Sequence, residues 1–353
     1  MTDTSLHQWL LRRWYGLRPI WFLIPLSWLF VMLSVIRRTC YAHGILRTVR
    51  LPVPVIVVGN ITVGGTGKTP LVIWLIQALR AQGFRPGIVT RGYGGRSPQW
   101  PLRVTHTTGV EIAGDEALLL ARATGVPVMA GPDRVAAARK LLGECAVDVI
   151  ASDDGLQHYR LGRDLQMVTL DGERGLGNGW RLPAGPLRES AERLRQADVV
   201  VCKGRRPAGV ELSAETPIMR MALVEAVSLR DGTRQALTNF RGRSVHALAG
   251  IGNPEQFFAA LTAAGIQVEP HALPDHVKLS EGDVSFGDHK PVLMTEKDAV
   301  KCESLHLPDH WYVPAIAEFT PEHAAAISQA LQACLHPGGA PPNDESSKSA
   351  ARK

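Results

Sequence analysis

Residues 56–70 read IVVGNITVGGTGKTP, and how this stretch is read decides the fold. A β-branched run over residues 53–58 ends in a glycine-rich loop that closes on Gly67-Lys68-Thr69. This is how a buried strand hands a phosphate-binding loop to a helix. The loop amides can cradle phosphate oxygens, Lys68 can reach the β and γ phosphates, and the Thr69 hydroxyl can hold Mg²⁺. The usual pattern GxxxxGK[ST] places its first glycine where this chain has Thr62. Gly64 and Gly65, with Thr66 before Gly67, keep the loop flexible, so it reads as a variant phosphate loop rather than a plain strand-to-helix turn. A nucleoside triphosphate is the expected ligand.

Outward from the loop, strand and helix alternate. Residues 68–81 predict a helix with Leu71, Trp74, Leu75 and Leu79 on one face. Strands follow over 87–90, 126–130, 147–151, 167–170 and 199–202, with helices over 115–123 and 133–142 and a polar one near 189–195. The alternation predicts an α/β fold, a doubly wound parallel sheet with helices on both faces. Short strands and turns over 217–243 suit a β connector, and a second, smaller α/β lobe is expected over 244–336. The nucleotide-binding domain is then 49–216, after an N-terminal segment of residues 1–48. The tail 337–353 lacks apolar periodicity and is expected to be disordered.

In doubly wound sheets, ligands sit at the carboxyl ends of the strands. Asp153 and Asp154 follow the apolar run VDVIAS, where a carboxylate would order Mg²⁺ beside Thr69. The competing reading is a surface turn. Asp115 opens a helix and on residue pattern alone reads as its N-cap. His158 could reach the site or pack harmlessly. Arg188 and Glu189, after a proline-rich turn, could be a phosphate clamp and a helper, or simply the charged first turn of a helix.

Residues 19–36 carry no charge over 18 positions, the lower limit for crossing a hydrocarbon core. Arginines flank both ends, and Trp9, Trp14, Trp21 and Trp28 lie in or just before the run. A signal peptide is disfavoured by length and by the lack of a small-residue cleavage site. A buried core helix leaves the flanking arginines unexplained. Membrane attachment, spanning or in-plane, fits best, with the soluble body facing the cytoplasm. The net charge of +6 is then partly explained by anionic lipid head groups, and no nucleic acid is needed. Five scattered cysteines with no CxxC pair argue against a disulfide scaffold or zinc site and for a reducing compartment.

The motifs GNITVGGTGKTP, RGYGG, AGDE, DDGLQH, LPAGPLRE, AGIGNPEQFF, LPDH and TEKDAVK occur in this order. In this the chain resembles the tetraacyldisaccharide 4′-kinases, membrane-associated enzymes of lipid A synthesis in the inner membrane of Gram-negative bacteria. The resemblance runs from the apolar segment to about Lys301. It implies transfer of the ATP γ-phosphoryl group to the 4′-hydroxyl of a lipid-linked glucosamine disaccharide 1-phosphate, with ATP and Mg²⁺ required. It also makes Asp115 the catalytic aspartate, against the N-cap reading, and pairs it with His276. Gln157, His158, Arg188 and Glu189 match motifs near the site. The family pattern G-[KR]-D-R is interrupted by Pro132, which leaves the partners of Arg134 open.

The alternative is a membrane-associated regulatory ATPase with a KGGxGKT loop. Its distinguishing lysine would fall at Val63. A GTPase fits less well, because Thr295-Glu296-Lys297-Asp298 places its lysine one position late for [NT]KxD.

Overall fold

The computed structural model describes residues 3–274, 277, 279–302 and 309–336. The first elements are α1 (Asp3–Trp14), α2 (Ile24–Ala42), β1 (Val55–Asn60), α3 (Lys68–Ala81), β2 (Pro86–Thr90) and β3 (Leu102–Val104). Next come α4 (Val110–Ala113), α5 (Asp115–Thr124), β4 (Val128–Ala130), α6 (Arg134–Glu144), β5 (Val149–Asp153), β6 (Leu165–Asp171) and β7 (Val199–Lys203). The remainder comprises β8 (Ile218–Ala222), β9 (Glu225–Ser228), β10 (Arg234–Ala236), β11 (Ser244–Ala249), α7 (Pro254–Ala263) and β12 (Gln267–Ala272). It closes with α8 (Glu281–Val284), β13 (Val292–Thr295), α9 (Glu296–Ala299), β14 (His310–Val313), β15 (Ile316–Glu318) and α10 (Pro321–Leu335).

Nine strands form one sheet in the order β15-β8-β7-β6-β1-β5-β2-β4-β3, parallel except at the edge strands β3 and β15. β1 lies at its centre, fully buried, because successive side chains serve two cores. Ile56 and Val58 pack with Leu71 and Leu75 of α3 and Leu118 of α5. Val55 and Val57 pack on the opposite face with Val135, Ala138 and Leu141 of α6. Each fully buried leucine or isoleucine contributes roughly 1.5–3 kcal/mol. This two-sided burial is why the strand reads as a continuous apolar run.

A second sheet, β10-β9-β14-β13-β11-β12, is parallel from β14 to β12 and carries its own core around Phe240, Phe257, Phe258 and Leu293. The sheets divide the chain differently from the expected ranges. β8, at the start of the expected connector, extends the nine-stranded sheet, whereas β9 and β10 join the second one. β15 returns to pair with β8, and α10 packs Ile327, Leu331 and Leu335 into the same core as Leu71. Short strands carry no local mark of which sheet they complete, so this return is set by tertiary packing. The predicted helix near 189–195 is a 3₁₀ turn, Ala191–Gln196. The tail 337–353 lies outside the described residues.

Trp21–Ala42 is the one helical stretch among the described residues that is long and apolar enough to cross a membrane. It touches the body near both ends and is otherwise largely exposed. Ser27, Val31, Ser34, Arg38 and Tyr41, at helical spacing, are buried or half-buried. The Ser27 hydroxyl donates to Arg181 O (2.9 Å), and Tyr41 packs on Tyr159. The opposite face leaves Trp28, Met32, Leu33, Val35 and Ile36 exposed.

Candidate active site

The phosphate loop leaves the centre of the sheet and enters α3. Gly67 caps the helix at φ 86°, in the left-handed region that glycine tolerates, and a Cβ there would lie 2.6 Å from Met219 Cε. No side chain caps the first turn, so its amides face the loop as an anion site. Gly64 also has positive φ, at 110°. Thr62 needs no such freedom: it bridges Leu187 as an extension of β1, and its carbonyl accepts from Asn60 Nδ2. This is the physical reason the departure from the glycine pattern is tolerated. Thr66 Oγ1 is fastened to Thr169 Oγ1 at 2.7 Å.

Parallel pairing of β1 with β5 places Val58 opposite Asp153, bringing the acidic pair beside the loop. Asp153 is buried. Its Oδ2 accepts from Thr90 Oγ1 (3.2 Å), and its Oδ1 has no hydrogen-bond partner among the described residues. Burial, then the charges of Glu116 and Asp154, push its pKa up to about 7. Asp154 differs in every respect. Its φ of 47° is the one positive value among described non-glycine residues. Arg188 Nη1 donates to Oδ1 at 2.9 Å while Nη2 reaches Oδ2 at 3.2 Å, and Lys68 Nζ lies 3.8 Å away. Burial works to raise this carboxyl, but Lys68 and Arg188 outweigh it and hold it down at about 2. A buried carboxylate oxygen left without a donor, next to an ionised neighbour, together with the hydroxyl that Thr69 offers from the first turn of α3, is the kind of hard-oxygen set that suits Mg²⁺.

Arg188 also bonds Asn60 Oδ1 (3.1 Å), and Gln157 Nε2 donates to both Asn60 O and Glu189 Oε1 (3.0 Å each). Glu189 is further held by Tyr159 and Arg193. Lys68, Asp154, Arg188, Asn60, Gln157 and Glu189 therefore form one connected network. His158 stands apart from it, 4.0 Å from Asp133, which is too long for a hydrogen bond. Burial, reinforced by Arg134, pulls its pKa down to about 4, leaving a neutral ring at neutral pH. Arg134, whose partners the sequence left open, is buried and donates to Gly131 O, Pro132 O and Asp154 O at 3.3–3.5 Å.

Asp115 is the first residue of α5, and Gly114 occupies the N-cap position, so the capping reading from residue pattern does not hold. The carboxylate is 5% exposed, its Oδ1 accepting from Glu116 N at 2.9 Å. Across the lobe boundary, Lys297 Nζ in α9 lies 3.8 Å from Asp115 Oδ2 and 3.5 Å from Glu116 Oε1. His276 lies outside the described residues. Lys297, Asn60 and Thr90 were not expected at the site. Asn60 and Lys297 lie inside the motifs GNITVGGTGKTP and TEKDAVK, but neither motif by itself marks them as site residues, and Thr90 carries no such signal.

Comparison with known proteins identifies the family. The family model described as tetraacyldisaccharide-1-P 4′-kinase matches residues 19–332. The tetraacyldisaccharide 4′-kinase of Nitrosococcus oceani is 48% identical over 324 residues, covering 92% of this chain and 94% of that protein. The one from Alkalilimnicola ehrlichii is 50% identical over 325 residues, covering 91% and 95%. The crystal structure of LpxK from Aquifex aeolicus in complex with ATP superposes with a TM-score of 0.76 at 30% identity, over 89% of this chain and 98% of that one. These matches do not favour the regulatory-ATPase alternative. The chain belongs to the tetraacyldisaccharide-1-phosphate 4′-kinase family.

Proposed function

We propose that this chain carries out its family's reaction with the residues gathered at the ends of β1 and β5. The γ-phosphoryl group of ATP passes to the 4′-hydroxyl of a tetraacyldisaccharide 1-phosphate. The observation that carries the residue assignment is the contrast within the acidic pair: Asp154 is fully engaged by cations, whereas Asp153 keeps a buried oxygen without a donor.

In this reading the loop residues Gly64–Thr69 hold the phosphates, and Lys68 exchanges part of its interaction with Asp154 for the β and γ oxygens. Thr69, Asp153 and Asp154 would hold Mg²⁺, with Asp153 the direct carboxylate ligand. Bound there, the ion would neutralise phosphate charge. Arg188, already aimed at Asp154, steadies the carboxylate and offers a second cation to the phosphates. Asp115 orients and stabilises the base, His276, as the motif resemblance implies. The base takes the 4′-hydroxyl proton, the oxygen forms a bond to the γ phosphorus, and the bond to the bridging β–γ oxygen breaks to release ADP. Lys297 from the second lobe sets a positive charge beside Asp115 and links its position to lobe docking.

We also infer an in-plane membrane seat. Residues 1–48 form the anchoring segment, the nine-stranded sheet the nucleotide lobe and the six-stranded sheet the second lobe. α2 is held to the body near both ends, by Ser27 and by Tyr41, which leaves its exposed apolar face for the bilayer boundary. A multi-acyl disaccharide stays in the membrane, so its head group is reached from that plane, with the body on the cytoplasmic side where ATP is found. The test is phosphoryl transfer from γ-labelled ATP in detergent, with and without the tetraacyl disaccharide 1-phosphate. Label on the lipid, dependent on Mg²⁺, supports the reading. Label released only as free phosphate, indifferent to lipid, overturns it.

A further inference from the structure

The N-terminal segment reaches the nucleotide site directly. Tyr15, in the turn between α1 and the apolar stretch, donates its hydroxyl hydrogen to Val63 O at the tip of the phosphate loop. The guanidinium of Arg174 sits over the Tyr15 ring, 4.9 Å from its centroid. The same guanidinium donates through Nη2 to Gly252 O of the second lobe at 2.9 Å. The tip is crowded on one side, although Gly65 itself is open to solvent. A Cβ on Gly64 would lie 3.2 Å from Arg174 Nη1 and 3.5 Å from the Tyr15 hydroxyl, and a Cβ on Gly252 would lie 3.0 Å from Gly65 N.

We propose that Tyr15 and Arg174 are positioning residues that set the phosphate loop's conformation and tie ATP affinity to the seating of the N-terminal segment and of the second lobe. The peptide joining Val63 and Gly64 is planar and trans, so its carbonyl and amide point in opposite directions. Holding the carbonyl toward Tyr15 therefore fixes the Gly64 amide on the other side. A glycine-flanked peptide left to rotate would spend part of its time with the amide turned away. Arg174 keeps the tyrosine ring in place and, through Gly252, makes that restraint depend on the docked second lobe. Neither residue needs to touch the phosphates to do this.

This inference rests on the loop being the ATP site, and its test separates the two. Y15F keeps the ring and removes the donor; R174K keeps the charge and removes the planar fork. For each, the KM for ATP, the KM for lipid, kcat, vesicle co-sedimentation and thermal midpoint are measured. Equilibrium binding of a non-hydrolysable ATP analogue is measured without lipid. Y15F is expected to raise the ATP KM and the analogue Kd about 5- to 10-fold, the size of one hydrogen bond. The lipid KM, co-sedimentation and thermal midpoint should stay at wild-type values. R174K should show a smaller rise, and the double variant less than the product of the two. An unchanged analogue Kd in Y15F overturns the proposal, as does a loss confined to thermal stability or vesicle binding. Absence of lipid phosphorylation by the wild type would instead sink the kinase reading, and analogue binding would still report on the loop.

Discussion

Asp153 and Asp298 occupy comparable places in the two sheets, yet they are built for opposite ends. Each is essentially inaccessible and lies at or just beyond the carboxyl end of a parallel strand, β5 for Asp153 and β13 for Asp298. Asp298 accepts from Gly250 N at 2.7 Å and Thr295 Oγ1 at 2.6 Å, and Lys301 Nζ lies 2.9 Å away. Asp153 has one hydroxyl donor and one oxygen without any among the described residues. A buried carboxylate surrounded by donors fastens a turn together. One left short of them carries an electrostatic cost that a ligand can relieve. The strand-end position alone does not distinguish a site from a staple; the donors around the carboxylate do.

That contrast can be broken at several points. Asp115→Ala should lower kcat by roughly 100- to 10,000-fold while ATP-analogue binding and the thermal midpoint hold. Retained turnover would remove Asp115 from the proton-transfer step. Lys68→Ala should lower kcat/KM by about 100- to 1,000-fold through both ATP affinity and turnover. A change in turnover with ATP affinity intact would argue against its phosphate contact. In the second lobe, Asp298→Asn should cost roughly 3–5 kcal/mol in denaturant unfolding, because Lys301 loses its buried counter-charge and an amide faces Gly250 N. Turnover per folded molecule should be nearly retained. A selective loss of kcat with unchanged stability would make Asp298 functional and erase the contrast.

The parts of the molecule legible in the sequence were those fixed by local pattern. α3 begins and ends where its apolar face predicts, and β1, β5 and β7 fall within about two residues of their expected bounds, because a strand buried on both faces is marked by an apolar run. The phosphate loop and acidic pair were legible for the same reason, since parallel register then places them side by side. What could not be read was long-range. β8 and β15 give no hint that they meet, and nothing near Asp115 announces Lys297, which arrives from 182 residues downstream. Tyr15 on Val63 is a contact of this kind too. The donor-poor state of Asp153 likewise depends on Thr90 and Glu116, brought in by other elements.

The most direct test of the contrast is Asp153→Asn, followed by both turnover and thermal unfolding of the nucleotide-free protein across pH. Because folding raises this carboxyl's pKa, the unfolded chain ionises first, and the folded state is penalised increasingly from about pH 4 up to about 7, fully above that. The account predicts that Asp153→Asn loses nearly all lipid phosphorylation yet melts a few degrees higher than wild type at pH 8, the gain vanishing near pH 4. Normal turnover, or a variant that melts lower at pH 8 as Asp298→Asn should, would contradict it.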